Sequence, residues 1–179
     1  MGLVPYGGVR LLRLRVLCAG QLQLGVAPSA AGGAQASRIA RWDGAMWSPL
    51  GTGTGNGVSN TVYALHALGS DLYVGGAFVQ AGGASANRIA RWNGAAWSSL
   101  DSSGGNGVLD GFVYAISSIG LDLYVGGTFS QVVGAAAARI ARWDGAAWYS
   151  MTPLAGMVSV NSIAAMGSDL YMGGVFSQP

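Results

Sequence analysis

The sequence RIARWNGAAW at residues 88–97 occurs, with small changes, three times in a chain of 179 residues. The other copies are RIARWDGAMW at residues 38–47 and RIARWDGAAW at residues 139–148. The copies start at 38, 88 and 139, so they lie 50 and 51 residues apart. A period of that length predicts one supersecondary unit that is repeated, as in solenoids and propellers.

Each copy carries a hairpin signal between its two tryptophans. The Asn-Gly of the middle copy and the Asp-Gly of the other two fit a two-residue type I′ turn, whose central positions need positive φ. Such a turn pairs Trp92 with Ala95 and sets Trp97 diagonally from Trp92. Because strand side chains alternate, Arg88 then shares a face with both tryptophans.

The tryptophan pairs have two interpretations. Paired indoles form a stacking platform for sugars or bases, or they pack between neighbouring sheets. We favour packing, because the pairs recur at equivalent positions of the repeat. The pairs are Trp42/Trp47, Trp92/Trp97 and Trp143/Trp148.

A second repeated unit follows each tryptophan hairpin. It reads VYALHALGSDLYVGGAF at residues 62–78, and its copies occupy 113–129 and 160–176. Each copy predicts two short strands around a Gly/Asp turn, so each period holds four strands of roughly six residues. The paired glycines remove side chains where another backbone comes close. They are Gly75-Gly76, Gly126-Gly127 and Gly173-Gly174.

Four strands per period, a double glycine ending the second strand and paired aromatics around the third and fourth resemble the kelch repeat. The pattern is also similar to the central propeller domain of galactose-oxidase-type proteins and to Gly-rich repeats of bacterial secreted and surface proteins. It departs in one respect: only four residues separate the two tryptophans, a tighter hairpin than the Tyr and Trp of kelch. The resemblance covers about residues 31–177, and residues 12–30 more weakly.

The resemblance implies an all-β fold, a partial or open β-propeller of about 3.5 four-stranded blades of about 50 residues each. Kelch-like propeller repeats fill residues 31–179 in this interpretation, and the last unit is a half blade. The chain is then a fragment of a longer protein or an open arc of blades. The repeat units are about 9–50, 61–100, 112–151 and 158–177.

Residues 1–30 form an irregular N-terminal segment or a degenerate half blade. Residues 22–33 align without a gap on residues 72–83 but have lost most of the pattern. A stretch read out of frame is the alternative. Three arginines before a short apolar run resemble a poor secretory signal, since Gln21 and Gln23 break that run.

Composition narrows the functional classes. The chain has nine Arg, seven Asp, no Lys and no Glu, and its net charge of +2 is too small to indicate nucleic acid. The single Cys18 excludes an intrachain disulfide framework and a multi-cysteine metal site. No apolar run is long enough to span a bilayer. Because the repeat resembles those of bacterial secreted and surface proteins, we expect a secreted or cell-surface protein.

Few residues suggest chemistry. His66 is the only histidine, and its counterparts in the other repeats are Ser117 and Ala164. We interpret His66 as a half-buried strand residue rather than a catalytic one. Copper of the galactose-oxidase type needs several His and Tyr ligands, which one histidine cannot supply. We therefore predict no catalytic, cofactor-binding or metal-binding residue.

The connectors between repeats are the candidate binding loops, since loops on a rigid scaffold carry function. Residues 51–60 and 101–111 share the sequence Gly-Asn-Gly-Val. A calcium site built on the loop oxygens of the second connector is one interpretation, and a solvated loop is the one we favour. The candidate side chains are Asn56, Asp101, Asn106 and Asp110.

The resemblance implies a non-enzymatic propeller scaffold that binds a protein or glycan through its inter-blade loops. One alternative is the propeller domain of an exported enzyme, an oxidase or hydrolase, whose catalytic residues lie outside this chain. Another is a purely structural spacer. We also expect self-association if the ring is incomplete, because an unpaired strand edge such as Gly173–Phe176 recruits other strands.

Overall fold

The protein is built from β-strands. Its structure is a computed structural model that describes residues 15–16, 36–102, 105–133, 135–152 and 155–177. Within this part of the chain there is one 3₁₀ turn, at Gly53–Gly55, and no α-helix. The prediction of an all-β protein is confirmed. The alignment drawn for residues 22–33 and the position of Cys18 lie outside the described residues.

The strands are short and follow the repeat. In chain order they are β1 (Arg15–Val16), β2 (Ala40–Trp42), β3 (Trp47–Pro49), β4 (Val62–Leu68), β5 (Asp71–Gly76), β6 (Gln80–Ala81), β7 (Ala84–Ser85), β8 (Ile89–Trp92), β9 (Trp97–Ser99), β10 (Asp101–Ser102), β11 (Gly105–Asn106), β12 (Val113–Ile119), β13 (Asp122–Gly127), β14 (Gln131–Val132), β15 (Ala135–Ala136), β16 (Ile140–Trp143), β17 (Trp148–Ser150), β18 (Met157–Met166) and β19 (Asp169–Phe176).

Two antiparallel sheets of four strands form the centre of the structure. Their strand orders are β4-β5-β8-β9 and β12-β13-β16-β17. The registers match, since Leu72 pairs with Trp92 in the first sheet and Leu123 with Trp143 in the second. The first two strands of each sheet have seven and six residues, as predicted. The third and fourth have only four and three, so the predicted length of roughly six residues is too long for them.

Smaller sheets flank this centre. Strands β1, β2 and β3 form a three-stranded sheet, and β18 pairs with β19 in a two-stranded one. Three two-stranded ribbons, β6-β7, β10-β11 and β14-β15, lie in the loops. Among the described strands no sheet closes on itself.

The tryptophan hairpins are not two-residue type I′ turns, so this prediction is wrong. Trp92 pairs directly with Trp97, and four residues form the loop between them. The Asn93 side-chain oxygen accepts the backbone N–H groups of Ala95 and Ala96 at 2.9 and 2.8 Å. Asn therefore precedes the turn as a side-chain cap. Only Gly94 takes positive φ, at 95°. Asp43 and Asp144 cap their loops in the same way.

The first arginine of each repeat lies outside the strand in which it was predicted. Arg38, Arg88 and Arg139 have φ of 63°, 61° and 71°, in the left-handed region that residues other than glycine seldom adopt. The carbonyl of Arg88 accepts the N–H of Gly76, and that of Arg139 accepts the N–H of Gly127. The third strand therefore starts one residue later, at Ile89 or Ile140.

Consecutive sheets pack face to face, and the hydrophobic core lies between them. Strand β12 packs against β4 on one side and against β18 on the other. One core cluster joins Ala64 and Tyr73 of the first four-stranded sheet to Val113 and Ile116 of the second. A second cluster joins that first sheet to Ile39 and other residues of the preceding hairpin.

The two glycines of each pair have different neighbours. A Cβ on Gly75 would overlap the side chain of Val113 in the following sheet, and one on Gly126 would overlap Val160. A Cβ on Gly76 would instead overlap the backbone carbonyl of Thr61. The predicted close approach of backbone therefore holds for the second glycine, whereas the first admits a side chain from the next sheet.

We predict that Gly76→Ala lowers the free energy of unfolding by about 1–3 kcal/mol, because the new methyl group overlaps backbone that cannot move aside. Gly69→Ala is the control. Gly69 has a φ of 61°, and no atom lies within 4 Å of the place that its new methyl group would take, so its cost is conformational strain alone. Urea titrations of both variants measure the difference. Equal losses would contradict steric overlap at Gly76.

The capped hairpins predict an acid dependence of stability. Backbone N–H groups of Met46 and Ala45 hold the pKa of Asp43 below its usual value, and those of Ala147 and Ala146 do so for Asp144. A carboxyl with a lowered folded-state pKa stabilises the fold above its unfolded pKa. That contribution is lost as the pH falls through the folded pKa.

Asn93 caps the middle hairpin with a side chain that does not titrate. The double variant Asp43→Asn/Asp144→Asn therefore gives the other two hairpins the same kind of cap. We expect the melting temperature of this double variant to fall less than that of the wild type when the pH is lowered from about 5 to about 2. Asp101→Asn, at an exposed carboxylate, is the control and should keep the wild-type slope. Identical slopes for the double variant and the wild type would refute the role of the caps.

Candidate functional site

An open groove lies where the middle tryptophan hairpin meets the connector from the preceding repeat. Its volume is about 280 Å³. Trp92 and Trp97 form one wall, and Gly82 and Ala84 of the β6-β7 ribbon form another. The connector contributes Gly51, Thr52 and Gly55. The groove thus brings together the tryptophan pair and the loop that the sequence indicated separately.

The register of the hairpin fixes the shape of the aromatic wall. Trp92 and Trp97 lie directly opposite on neighbouring strands, with ring centroids 5.3 Å apart and planes inclined by 51°. The indole Nε1 of Trp97 donates to the carbonyl of Leu50 at 2.7 Å. Gly82 lies against the Trp97 side chain, and a Cβ on Gly82 would come within 2.8 Å of the Trp97 Cβ and 2.9 Å of the ring atom Cδ1. The ring is therefore held from two sides before any ligand binds.

The three tryptophan pairs differ in burial. Trp143 and Trp148 are 5% and 6% exposed and belong to the core between the two four-stranded sheets. Trp92 and Trp97 are only partly buried and border the groove. The pair is therefore buried in one repeat, whereas in another it packs against the core with one side and borders an open surface with the other.

The groove carries no formal charge. Its described lining consists of glycine, alanine, threonine and tryptophan. Among its lining residues Thr52 has a hydroxyl group and the tryptophans have indole N–H groups, in addition to the backbone amides. A surface with aromatic faces and neutral hydrogen-bonding groups suits a neutral ligand that is itself amphipathic.

The predicted loop residues Asn56 and Asn106 hold the fold together. Asn56 is 5% exposed, and its side-chain oxygen accepts the Ser37 hydroxyl at 2.7 Å. The side-chain oxygen of Asn106 accepts the backbone N–H of Asn87 at 2.8 Å. Each asparagine therefore ties its connector to the segment ahead of the third strand in the preceding sheet, and neither borders the groove.

Asp110 also has a local role. Its carboxylate accepts the Ser130 hydroxyl at 2.6 Å and the backbone N–H groups of Ser130 and Gln131 at 2.9 Å. Burial alone would raise the pKa of Asp110, but these hydrogen bonds outweigh it and hold the pKa below its usual value. In the preceding repeat the Ser59 hydroxyl accepts the equivalent N–H groups of Val79 and Gln80.

The remaining candidate, Asp101, is exposed and starts the small ribbon β10-β11, where it pairs with Asn106. The structure therefore does not bring the four predicted loop residues together into one site. Within the described residues no group of three or more His, Cys, Asp or Glu side chains is placed to hold a metal ion.

His66 lies between two sheets. Its Nε2 is 2.9 Å from the Ser118 hydroxyl on β12, so it bridges β4 and β12. Burial lowers the pKa of the imidazole, which favours the neutral ring at pH 7. This is the half-buried strand position that the sequence suggested, with a hydrogen-bond partner that the sequence did not reveal.

The first arginine of each repeat has a structural role that the sequence analysis did not identify. Arg88 donates from Nε to the carbonyl of Gly111 at 2.7 Å, and Arg139 donates from Nε to that of Val158 at 2.8 Å. The Arg88 bond ends on the chain just before β12, and the Arg139 bond ends on the second residue of β18. Their recurrence at one place in the repeat was the available signal, since surface arginines need not recur.

Comparisons with protein-family models, with curated proteins and with solved structures found no match for this chain. In the part of the chain that the structure describes, no helix has the length and apolar character needed to cross a membrane.

Proposed function

We propose that the protein is a non-enzymatic, kelch-like β-propeller scaffold that binds a neutral glycan in the groove beside Trp92 and Trp97. The observation that carries the proposal is this uncharged groove, in which a fixed aromatic pair faces a connector loop. Indole faces stack on the apolar C–H faces of sugar rings, while hydroxyl and amide groups take up the sugar hydroxyls.

The propeller arrangement is supported by how the sheets stack. The two four-stranded sheets share one register, and β12 packs between β4 of the preceding sheet and β18 of the two-stranded sheet that follows. Face-to-face packing with the first strands together is how blades surround a central axis. The Arg88 and Arg139 hydrogen bonds repeat the same contact from one sheet to the next.

A protein partner is the second candidate ligand, and an exposed aromatic cluster favours it. Tyr63 lies 5.1 Å from Tyr114 and 6.3 Å from Phe112, measured between ring centroids. Tyr63 and Phe112 are exposed. Aromatic side chains of this kind are enriched in protein interfaces. The cluster lies at the starts of β4 and β12, away from the groove residues.

The two alternative functions suggested by the sequence, an exported enzyme and a structural spacer, lead to different expectations. An exported enzyme would carry its catalytic residues outside this chain, and a structural spacer would bind nothing at either surface. We place the protein outside the cell or on its surface, because kelch-like Gly-rich repeats are a feature of secreted and surface proteins.

A glycan array followed by titration of tryptophan fluorescence tests the proposal. We expect a neutral oligosaccharide to bind, and Trp92→Leu to weaken it by about tenfold or more, equivalent to about 1.4 kcal/mol. Leucine keeps the apolar packing but removes the stacking face. Trp42→Leu changes the equivalent, half-buried residue outside the groove and should leave binding intact. Absence of binding across neutral glycans would reject the proposal.

A further inference from the structure

Three Asn-Gly dipeptides occur in the chain, and the structure places them in different surroundings. They are Asn56-Gly57, Asn93-Gly94 and Asn106-Gly107. An asparagine before glycine can deamidate, because the backbone nitrogen of the glycine is unshielded and can attack the neighbouring side-chain amide. In a folded chain the reaction depends on how tightly the amide and that nitrogen are held.

The fold restrains the dipeptides in the two connectors. Asn56 is 5% exposed, and its side-chain oxygen accepts the Ser37 hydroxyl. In the second connector the attacking nitrogen itself is engaged, since Gly107 is buried and donates its N–H to the carbonyl of Leu100 at 3.0 Å. Deamidation of Asn56 or Asn106 therefore requires the connector to open locally first.

The remaining dipeptide lies in the exposed loop of the middle tryptophan hairpin, at residues 93–96. Beyond the chain neighbours of Gly94, no atom lies within 4 Å of the place that a Cβ on this residue would take. Among the described residues, neither the N–H of Gly94 nor the side-chain nitrogen of Asn93 has a hydrogen-bond partner. The attacking nitrogen and the leaving nitrogen are therefore both unrestrained by hydrogen bonds.

The cap of this hairpin also activates the amide that it holds. The backbone N–H groups of Ala95 and Ala96 donate to the side-chain oxygen of Asn93 at 2.9 and 2.8 Å. Attack at Cγ turns this oxygen into an oxyanion. Fixed N–H donors at about 2.7–3.1 Å are the arrangement that stabilises an oxyanion. The hairpin therefore lowers the barrier to attack on its own capping side chain.

We infer that Asn93 is a site of spontaneous deamidation, whereas the fold protects the other two Asn-Gly dipeptides. The Gly94 nitrogen forms a bond to Cγ of Asn93 and loses its proton. The bond from Cγ to Nδ2 breaks, and this nitrogen takes up a proton and leaves as ammonia. The product is a succinimide ring. Water then opens the ring at one of its two carbonyl groups and leaves aspartate or isoaspartate at position 93.

The same N–H groups favour aspartate as the product. Addition of water at Cγ gives aspartate, whereas addition at the backbone carbonyl gives isoaspartate. Only the first route places the developing negative charge on the oxygen that Ala95 and Ala96 hold. An aspartate also fits this loop, because Asp43 and Asp144 cap the equivalent hairpins.

The aspartates of the other two hairpins resist the same ring closure. Asp43 and Asp144 also precede glycine, but backbone N–H groups hold the pKa of each carboxyl below its usual value. Both are therefore carboxylates at neutral pH. A carboxylate is a weak electrophile, because neither of its oxygens is a good leaving group. The reaction thus ends once all three hairpins carry an aspartate.

Deamidation changes the charge beside the groove. Asn93 follows the groove residue Trp92 directly and precedes Ala95 and Ala96, which also line it. The reaction lowers the formal net charge of +2 by one and places a carboxylate next to a lining that carries none. The inference goes beyond the proposed function and holds whatever the groove binds.

Incubation of the folded full chain at mildly alkaline pH, followed by peptide mass mapping, tests the site. We expect Asn93 to deamidate about tenfold faster or more than Asn56 and Asn106. In urea the three should react at similar rates, since each precedes a glycine. Equal rates in the folded chain, or slower reaction of Asn93 in the folded than in the unfolded chain, would overturn the inference.

The same peptides measure the role of the two N–H groups. The ratio of aspartate to isoaspartate at position 93 should be higher after incubation of the folded chain than after incubation in urea. An equal ratio in the two states would contradict stabilisation of the oxyanion by Ala95 and Ala96.

Two variants provide matched controls on ion-exchange chromatography. Asn93→Asp copies the product and should elute with the acidic species that the wild type forms on incubation. Asn93→Gln has a longer side chain that does not form the five-membered ring, so it should yield no such species in the same time. Acidic species that accumulate as fast in Asn93→Gln as in the wild type would place the deamidation elsewhere and refute the assignment.

Discussion

The packing of one sheet onto the next depends on a contact between a glycine and a branched side chain. Gly75 leaves room for Val113 of the following sheet, and Gly126 does the same for Val160. Both valines are fully buried. Without that space the first strands could not lie side by side, and the core between the sheets would open. The glycines set the spacing between the sheets, and the arginine hydrogen bonds and the tryptophan packing further stabilise the sheets at that spacing.

Much of the fold followed from periodicity because the repeat fixes strand positions several times over. The strand pairs β4-β5 and β12-β13, the double glycines and the all-β class were predicted from residues alone. The hairpin turn was not, since Asn-Gly suits two geometries: Asn93 can occupy the turn or cap it with its side chain. Only the pairing of Trp92 with Trp97 separates them, and that pairing depends on the neighbouring strands.

The site was less predictable than the fold for a physical reason. Polar residues in Gly-rich connectors were the candidate ligand contacts, but a buried backbone also needs hydrogen-bond partners. Asn56, Asn106 and Asp110 meet that need. The groove arises instead from residues with little polarity. Whether a tryptophan pair is covered, as Trp143 and Trp148 are, or open depends on tertiary packing that no local pattern encodes.

A double-mutant cycle between Gly75→Ala and Val113→Ala tests the glycine contact most directly. We expect Gly75→Ala to destabilise the wild type but to destabilise the Val113→Ala variant much less, because the shorter side chain makes room for the new methyl group. The coupling free energy from urea titrations should then be about 1 kcal/mol or more in favour of the pair. Additive losses from the two substitutions would contradict the account.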